Sequence, residues 1–303
     1  MNATLAANPF PRRMHDRVQA NYPLASLTTL RIGGPAQWFV RAQTLRDVAD
    51  TVQISRERGL PLRVLGGGSN LLIADEGVSG IVLCLHGMKQ LRMFGHHVQV
   101  QAGASLAGLV ARCAASGIAG PEGLAGIPGN VGGALAMNAG GRYAEIADFV
   151  ERVVWINPDG EVESLYREEI DFAYRISSLR AGVIIEAVLK GVPGDREKLF
   201  ARSREIMAEK LAVQPYSEFS AGCAFKNPKG ESAGRLIDQA GCKGLSIGGA
   251  KVSDRHGNFF VNSGNARASE LRALLQQVQQ RVAEVHGIAL QTEIQIWPPA
   301  KAA

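Results

Sequence analysis

The chain has 303 residues, with 33 Lys or Arg and 28 Asp or Glu, which gives a formal net charge of +5. A hydrophobic content of 46% and a charged content of 20% are ordinary for a globular protein and exclude wholesale disorder. There is no Lys/Arg tract and no interleaving of basic and aromatic residues, so we expect no nucleic-acid partner, and the mild positive charge suits a small phosphate-bearing ligand.

The first half of the chain predicts short strands alternating with helices. Residues 1–20 are expected to form an unstructured or loosely docked leader, and Leu30 to Val40 a strand, a turn and a second strand. Thr44, with Asp47 three residues later, predicts a capped helix start, and Gly59 predicts its end. Further elements are predicted as strands at 62–65, 81–85 and 97–101 and as a helix at 105–116.

The second half continues in the same manner. Residues 150–164 predict a hairpin around an Asn-Pro-Asp-Gly turn. A strand at 183–189 and a helix at 196–211 follow. Residues 266–286 carry a stripe of Leu and Val at helical spacing, and a last strand runs through Trp297. Strands and helices without strict βαβ alternation predict an α+β fold.

Cysteine usage and hydropathy indicate a compartment. The four cysteines are scattered without a C-x-x-C pair, which favours neither a disulfide framework nor a zinc site. The N-terminal residues lack the apolar run of a secretory signal. The longest uncharged stretch, residues 123–141, holds seven glycines, a proline and two asparagines, which bilayer interiors tolerate poorly. We therefore predict a cytoplasmic protein without a membrane segment.

Two glycine clusters are the most unusual feature. Residues 66–70 read Gly-Gly-Gly-Ser-Asn and directly follow a predicted strand, where backbone N–H groups without Cβ obstruction can converge on an anion. Residues 126–133 form the second cluster. A tight turn would explain either cluster alone, whereas the two together suit an extended dinucleotide in a groove. The P-loop motif is absent, and Leu71 stands where the Rossmann motif requires glycine.

Five ordered motifs resemble the UDP-N-acetylenolpyruvoylglucosamine reductase (MurB) family. They are Leu65–Leu72, Gly123–Gly133, Tyr174-Arg175, Ser220–Pro228 and Leu236–Gln239, and the resemblance runs from about Asn21 to Trp297. It implies an FAD-binding fold of the vanillyl-alcohol-oxidase (PCMH) type in two subdomains, with a C-terminal α+β substrate domain. The expected segments are a leader at 1–20, the subdomains at 21–90 and 91–194, and the substrate domain at 195–303.

The resemblance also implies an activity. Members of this family make UDP-N-acetylmuramate for peptidoglycan, passing a hydride from NADPH to non-covalently bound FAD and then to the enolpyruvyl group of UDP-N-acetylglucosamine enolpyruvate. The residues expected to hold FAD are Gly66, Gly67, Gly68, Ser69, Asn70, Gly126, Ile127, Gly129, Asn130, Gly132 and Gly133. Few residues separate Arg175 from Val183, which is similar to the compact form of the family that lacks a tyrosine-bearing loop. We expect a monomer.

The chemistry of this reduction identifies candidate catalytic residues. Hydride addition to the CH2 carbon of an enol ether leaves negative charge on the neighbouring carbon and its carboxylate, which the site must neutralise before that carbon is protonated. A guanidinium matches a carboxylate bidentately and stays charged, and the resemblance places Arg175 there. Without the motif, Arg175 would be interpreted as a surface arginine stacked on Tyr174.

Cys223 departs from the familiar members of the family, which have serine as the proton donor at this place. A thiol is mostly protonated at neutral pH and more acidic than an alcohol, so it can do the same work. The alternative is a small core cysteine. Glu293, between apolar residues of the last strand, is expected to have a raised pKa and to act as a general acid or a polarising group; its alternative is an edge-strand carboxylate facing water.

Substrate-binding candidates follow from the same resemblance. Tyr174 and Asn227 are expected to contact the substrate, and Lys210 and His256 are weaker candidates for the diphosphate or the nicotinamide. His86 is a candidate for covalent flavin attachment, as in some oxidases of this fold, but the resemblance argues for non-covalent FAD. The histidines have no Cys, Asp or Glu at ligand spacing, so no metal is expected.

Three other functions remain open to test. Gly244-Leu-Ser246-Ile-Gly248, followed by Asp254 and His286, has the motif and order of an α/β-hydrolase, but no apolar strand precedes Ser246. A sugar or alcohol oxidoreductase of the same flavin fold is the nearer alternative, and a non-enzymatic nucleotide-binding protein is the third.

Overall fold

The computed structural model describes residues 8–299. Its strands in chain order are β1 Val18–Pro23, β2 Pro35–Arg41, β3 Leu62–Leu65, β4 Leu71–Ile73, β5 Val78–Cys84, β6 Leu91–Phe94, β7 His97–Gln101, β8 Ile118–Ala119, β9 Val150–Ile156, β10 Val162–Tyr166, β11 Phe172–Ala173, β12 Ile176–Ser177, β13 Val183–Lys190, β14 Val192–Pro193, β15 Phe219–Cys223, β16 Ser246–Ile247, β17 Ala250–Val252, β18 Phe259–Asn262 and β19 Gln295–Trp297. Its α-helices are α1 Leu45–Arg58, α2 Leu106–Ala115, α3 Val131–Ala136, α4 Arg196–Val213, α5 Ala233–Gln239 and α6 Ala268–His286. Its 3-10 helices are Arg12–Met14, Ala25–Leu27, Pro121–Leu124, Ile146–Asp148, Arg167–Glu169 and Ser178–Ala181.

Three sheets each use one stretch of the chain. The first has the order β1-β2-β5-β3, with β2, β5 and β3 parallel and β1 antiparallel at its edge. The second is antiparallel with the order β10-β9-β13-β7-β6, and the third is antiparallel with the order β15-β18-β17-β16. The expected segment boundaries at 90/91 and 194/195 fall between these stretches and stay predictions.

The first sheet is buried on both faces. Trp38 and Val40 of β2 face a core shared with the second sheet and with α2, whereas Phe39 between them faces a separate core with Leu65 and Val82. Side chains alternate between faces along a strand, so a run of consecutive apolar residues marks a strand covered on both sides. A third core lies between the apolar stripe of α6 and the C-terminal sheet.

The predicted helix starts and ends are confirmed. Thr44 accepts a hydrogen bond from the Asp47 N–H, Asp47 accepts in return from the Thr44 N–H, and Gly59 ends α1 in the left-handed conformation at φ 61°. Ser105 caps α2 through the Gly108 N–H. These bonds satisfy N–H groups at the helix starts that would otherwise have no partner. Among residues 8–299, no helix is both long and apolar enough to cross a bilayer.

The leader prediction is wrong for residues 8–20, whereas residues 1–7 lie outside the described residues. Phe10 and Met14 are buried in the core that the first two sheets share, and β1 begins at Val18. Arg17 donates two hydrogen bonds of 2.8 Å to the carboxylate of Asp47 in α1. The few apolar residues of this otherwise polar segment are therefore the ones that hold the segment on the core.

The predicted strand at Leu30 is also wrong. The segment before β2 is irregular, and the strand paired with β2 is β1. Leu30 and Ile32 are apolar because they join the core of the C-terminal sheet. Gly34 passes so close to the backbone of Asp75 and Gly77 that a Cβ would lie 2.2 Å from the Asp75 oxygen, which excludes any larger residue there.

Candidate active site

The two glycine clusters form one wall of a groove of about 890 Å³. All eleven residues expected to hold the cofactor line it. The loops touch each other, because a Cβ on Gly67 would lie 2.7 Å from the Cα of Gly129. The Ser69 hydroxyl donates to the Pro128 carbonyl over 3.2 Å. Two loops about 60 residues apart in the chain therefore present one continuous surface of backbone.

This groove fits a flavin dinucleotide. A Cβ on Gly133 or Gly222 would meet no atom within 4 Å, so the missing side chains leave room on the groove side of both residues. The basic groups of the lining are Arg56, Arg63, Arg142, Arg175, Arg180 and Lys210, and its carboxylates are Glu209 and Glu293. The excess of cations and the free loop N–H groups favour a pyrophosphate.

Arg175 lies in the two-residue connection between β11 and β12, with a left-handed backbone at φ 62°. Its Nε donates a hydrogen bond of 2.8 Å to Oε1 of Glu293, and its guanidinium stacks on Tyr174 at 4.9 Å from the ring centroid. The two side chains of the ion pair are only 18% and 14% exposed. Within residues 8–299 the Nη groups of Arg175 have no hydrogen-bond partner, so they remain for a bound carboxylate.

Buried polar side chains anchor this hairpin. The Ser177 hydroxyl donates to the carbonyl of Leu135 in α3, and the Asn138 amide donates to the carbonyl of Ala173. Ser177 and Asn138 are 4% and 1% exposed. The hairpin that carries Arg175 is therefore attached to α3, the helix that begins within the second glycine cluster.

Two hydrogen bonds to the main chain of Glu293 hold this residue at the site. Its N–H donates to the Ala224 carbonyl over 2.7 Å, and the Asn70 amide donates to its carbonyl over 3.2 Å. β19 then pairs in parallel with β4, immediately after the first glycine cluster. Burial raises the pKa of Glu293 above its usual value, although the charges of Arg175 and Lys226 act against it. Glu293 therefore joins the first glycine cluster to the segment that carries Cys223.

Cys223 ends β15, where the pairing with β18 is irregular between Ser220 and Cys223. Gly222 has φ 72°, a conformation that favours glycine, and the half-buried thiol lines the groove. Burial, together with the negative charge of Glu293, raises the pKa of Cys223 to about 12. The thiol is thus protonated at neutral pH, which is the form a proton donor needs.

The predicted binding residues occupy different places. Lys210 lines the groove, and its Nζ donates to the Ala125 carbonyl over 2.5 Å. Tyr174 and Asn227 lie in a shallower pocket of about 630 Å³. The Asn227 Oδ1 accepts from the Ala233 N–H, so this side chain also fixes the start of α5. His256 is outside both linings, since its ring packs on Phe259 and its Nδ1 accepts from the Asn258 N–H.

Some residues of the site gave no signal in the sequence. Ser177, Asn138 and Asn258 are buried side chains that bond to backbone groups near the site, and no motif distinguishes them from other polar residues. Arg180 belongs to no motif either, although it lines the groove and donates a hydrogen bond to the Gln295 side chain over 2.6 Å. Only the tertiary arrangement identifies them.

The hydrolase arrangement is absent from residues 8–299. Ser246 is exposed in the two-residue strand β16, Asp254 pairs with Lys251, and His286 bonds to the carbonyl of Leu236. A nucleophile elbow requires a strand, a sharp turn and a helix around the serine. The same described residues contain no group of three or more His, Cys, Asp or Glu side chains placed to hold a metal ion.

Comparison with known proteins agrees with this geometry. Residues 214–297 match the C-terminal domain of UDP-N-acetylenolpyruvoylglucosamine reductase, and residues 36–166 match an FAD binding domain. The reductase of Bacillus licheniformis is 39% identical over 92% of this chain and 94% of its own. That of Moorella thermoacetica is 38% identical over 98% and 99%.

Solved structures agree at the level of the fold. The crystal structure of the reductase (MurB) from Thermus caldophilus has a TM-score of 0.82 and 40% identity, covering 93% of this chain and 99% of that one. The glucose dehydrogenase Phl p 4.0202 has a TM-score of 0.51 at 18% identity, covering 72% and 50%, and shows only a shared fold. The α+β fold with a PCMH-type FAD-binding domain is thereby confirmed, and the chain belongs to the UDP-N-acetylenolpyruvoylglucosamine reductase family.

Proposed function

We propose that this chain reduces the enolpyruvyl ether of UDP-N-acetylglucosamine enolpyruvate to the lactyl ether of UDP-N-acetylmuramate, a precursor of peptidoglycan, with NADPH as the hydride source. The observation that carries the proposal is the meeting of Arg175, Glu293 and Cys223 at a groove walled by two glycine loops. Guanidinium, carboxyl and protonated thiol are the groups that reduction of an unsaturated carboxylate requires.

The glycine loops at 66–70 and 126–133 would hold FAD through their backbone N–H groups, and the open faces of Gly133 and Gly222 would admit its rings. When bound, FAD supplies a hydride for the CH2 carbon of the substrate. Lys210, which lines the same groove, would contact a phosphate of the substrate or of NADPH. Tyr174 and Asn227 would contact the substrate from the neighbouring pocket.

Arg175 would neutralise the charge that develops during the reaction. Hydride addition spreads negative charge from the carbon into the attached carboxylate, and the Nη groups can donate hydrogen bonds to both carboxylate oxygens. Glu293 holds the remaining Nε–H and so sets the plane of the guanidinium. Its raised pKa also suits a group that polarises the substrate as a general acid.

Cys223 would complete the reaction by protonating the carbon next to the carboxylate. The S–H bond breaks, the new C–H bond forms with the electron pair of the enediolate, and the thiolate takes a proton from water. Because the pKa of Cys223 is raised to about 12 by burial, the thiol is ready in its protonated form over the whole neutral range.

An anaerobic titration of the purified flavoprotein tests the function. The flavin absorbance should bleach with NADPH and return with UDP-N-acetylglucosamine enolpyruvate. Bleaching without return would mean another acceptor, such as that of a sugar or alcohol oxidoreductase. A protein that stays colourless with added FAD would contradict the proposal, and flavin that survives acid precipitation attached to the chain would contradict non-covalent binding and direct attention to His86, which lines the groove.

Variants of Cys223 test the proton donor. We expect Cys223→Ser to keep substantial activity, since its hydroxyl also carries a proton. Cys223→Ala should bleach with NADPH at the wild-type rate but return its colour at least about a hundredfold more slowly with substrate, because general acid catalysis contributes about 10² to 10⁴ in rate. Stopped-flow absorbance separates the two steps. Normal recovery in the alanine variant would make Cys223 a core residue.

Three finer expectations stay predictions. Residues 176–182, between Arg175 and β13, hold only β12 and a short 3-10 helix, which supports the compact form of the family. The four cysteines are free thiols, which suits the reducing cytoplasm. A monomer remains the expected state, and sedimentation of the flavoprotein would test it.

A further inference from the structure

Asn258 is a buried polar residue that the proposed reaction does not use. It lies just before β18, with 2% of its surface exposed. Its Oδ1 accepts from the Phe225 N–H over 2.9 Å, and its Nδ2 donates to the Phe225 carbonyl over 2.8 Å. Its own carbonyl accepts from the Ala224 N–H over 2.8 Å. Three hydrogen bonds thus hold the two residues that follow Cys223.

These bonds lie next to an irregular part of the C-terminal sheet. Between Ser220 and Cys223 the pairing of β15 with β18 loses its register, and Gly222 has the most permissive backbone of any residue type. Cys223 itself pairs with Phe259, but the irregular residues before it make the direction of its side chain depend also on how Ala224 and Phe225 are held. The amide of Asn258, bonded to both polar groups of Phe225, provides the fixed point immediately after the irregular segment.

We propose that Asn258 is the positioning residue for proton donation by Cys223, holding the sulfur toward the groove and stabilising the thiolate that forms when the proton leaves. This inference rests on the proposed function. The S–H bond breaks and the proton goes to the substrate carbon beside the carboxylate, while the electron pair stays on sulfur until water returns a proton. The Phe225 carbonyl takes one N–H of the Asn258 amide, which leaves the second N–H to favour the thiolate.

The charges around the thiol make this assistance necessary. Burial and the carboxylate of Glu293 both disfavour the thiolate, whereas the Arg175 charge and hydrogen bonding to the Asn258 side chain favour it. Arg175 is already engaged with Glu293. His256, whose Nδ1 accepts from the Asn258 N–H, has a pKa lowered by burial and by Lys243, so it adds no positive charge at neutral pH. Asn258 is therefore a neutral donor to a thiol whose one nearby cation, Arg175, is already paired with Glu293.

The test compares Asn258→Asp with Asn262→Asp in the flavoprotein. The aspartate at 258 keeps the size of the side chain and an acceptor for the Phe225 N–H, but it removes the amide donor. Asn262, the last residue of β18, is the matched control, since its amide also bridges backbone groups, namely those of Leu30, Gly264 and Ala266, and it does not line the groove. Both variants are measured for bleaching by NADPH, for return of colour with substrate, and for alkylation of Cys223 by iodoacetamide against pH, read from the mass of its peptide.

We expect Asn258→Asp to bleach within about twofold of wild type and to regain colour about tenfold more slowly, with a larger solvent deuterium isotope effect on the second step. Alkylation of Cys223 at pH 9 should slow by about tenfold, because a hydrogen bond to a charged group contributes about 1.4 kcal/mol or more, the equivalent of that factor. Asn262→Asp should match wild type in all three measurements. If Asn258→Asp does not fold, Asn258→Ser is measured in its place with the same expectation.

Equal slowing of both steps, or an unchanged alkylation profile at normal colour recovery, would overturn the inference and leave Asn258 with a structural role. Cys223→Ala separates this failure from failure of the proposed donor. Slow recovery in Cys223→Ala with normal recovery in Asn258→Asp would remove only Asn258 from the mechanism. Normal recovery in Cys223→Ala would remove both.

Discussion

At the scale of single residues, the site depends on an arginine in an unusual backbone conformation. A left-handed backbone costs a residue with a Cβ of the order of 1 kcal/mol. Arg175 is kept at φ 62° because Ser177 and Asn138 fix the hairpin around it and Glu293 holds its Nε. The fold thus maintains a strained conformation that aims the guanidinium at the groove.

Replacing Arg175 by lysine should cost most of the activity. An ammonium cannot hold Glu293 and also bind both oxygens of a carboxylate, so we expect kcat/KM to fall by about a hundredfold while FAD content is unchanged. Arg167→Lys is the matched control, because Arg167 also stacks on an aromatic ring, that of Phe172, but does not line the groove. Steady-state kinetics on both variants tests this prediction. An unchanged kcat/KM in Arg175→Lys would refute the role of Arg175 in binding the substrate carboxylate.

Glu293→Gln should stabilise the protein at neutral pH while lowering its activity. Burial raises the pKa of Glu293, so ionisation is less favourable in the folded than in the unfolded chain. A group of this kind contributes stability fully below its unfolded pKa, near 4.5, and loses that contribution as pH rises through the folded pKa. We expect the apoprotein variant to melt above wild type at pH 7 and to lose this advantage near pH 4. A lower melting temperature at pH 7 would show that the Arg175 contact outweighs burial.

At the scale of elements, α1 shows how local sequence and tertiary contacts combine. The capping residues Thr44 and Asp47 and the terminal Gly59 were readable from the sequence because each acts on its own helix. The additional bond from Arg17 to Asp47 was not, since it joins residues 30 positions apart. Short-range chemistry therefore predicted the helix but not the attachment of the chain that precedes it.

Asp47→Asn should destabilise the fold by about 1–3 kcal/mol, because it weakens the cap and leaves the Arg17 guanidinium with only the exposed carboxylate of Asp16 at 3.5 Å. Burial raises the pKa of Asp47, but hydrogen bonds from Gln43 and Thr44 and the Arg17 charge together lower it by more. The net shift of the pKa is therefore downward. This contribution is present above the unfolded pKa of about 3.8 and disappears as pH falls through the folded pKa. Urea unfolding of the apoprotein at pH 7 and pH 3 tests this.

Asp50→Asn is the control for that experiment. Asp50 lies on the same helix and pairs with Arg13, whose side chain is 46% exposed, so the loss at pH 7 should be smaller. Equal losses in the two variants would mean that the cap and the bidentate contact contribute nothing beyond an ordinary ion pair.

At the scale of the whole molecule, the groove exists because distant segments meet. The first glycine cluster, the second cluster and the last strand come from the beginning, middle and end of the chain, and β19 pairs with β4 to hold them together. Substitutions in the two glycine loops should therefore change cofactor binding while each domain stays folded.

Gly133→Ala should weaken FAD binding without harming the fold. Gly133 is helical, and a Cβ there would meet no protein atom, so the alanine should stabilise the apoprotein by about 0.4–1 kcal/mol through the unfolded state. Gly108→Ala in α2 is the control, since its Cβ would make only an ordinary contact at 3.6 Å with Ser105. Flavin fluorescence on titration should show weaker binding only for Gly133→Ala. Equal affinity in both variants would place the cofactor away from this face.

The four long helices, the hairpin around Asn157, the glycine loops and the family could be predicted from the sequence, because these depend on residues close together or on motifs in a fixed order. The predictions of a leader before β1 and of a strand at Leu30 were wrong for the same reason. An apolar residue indicates that its side chain is buried, but it does not indicate which other residues it packs against. The contacts between Glu293 and Arg175 and between Asn258 and the segment after Cys223, and the position of His256 outside the groove, are visible only in the folded chain. Those outcomes depend on strand pairing and side-chain contacts between segments tens to hundreds of residues apart, for which a single sequence carries no local signal.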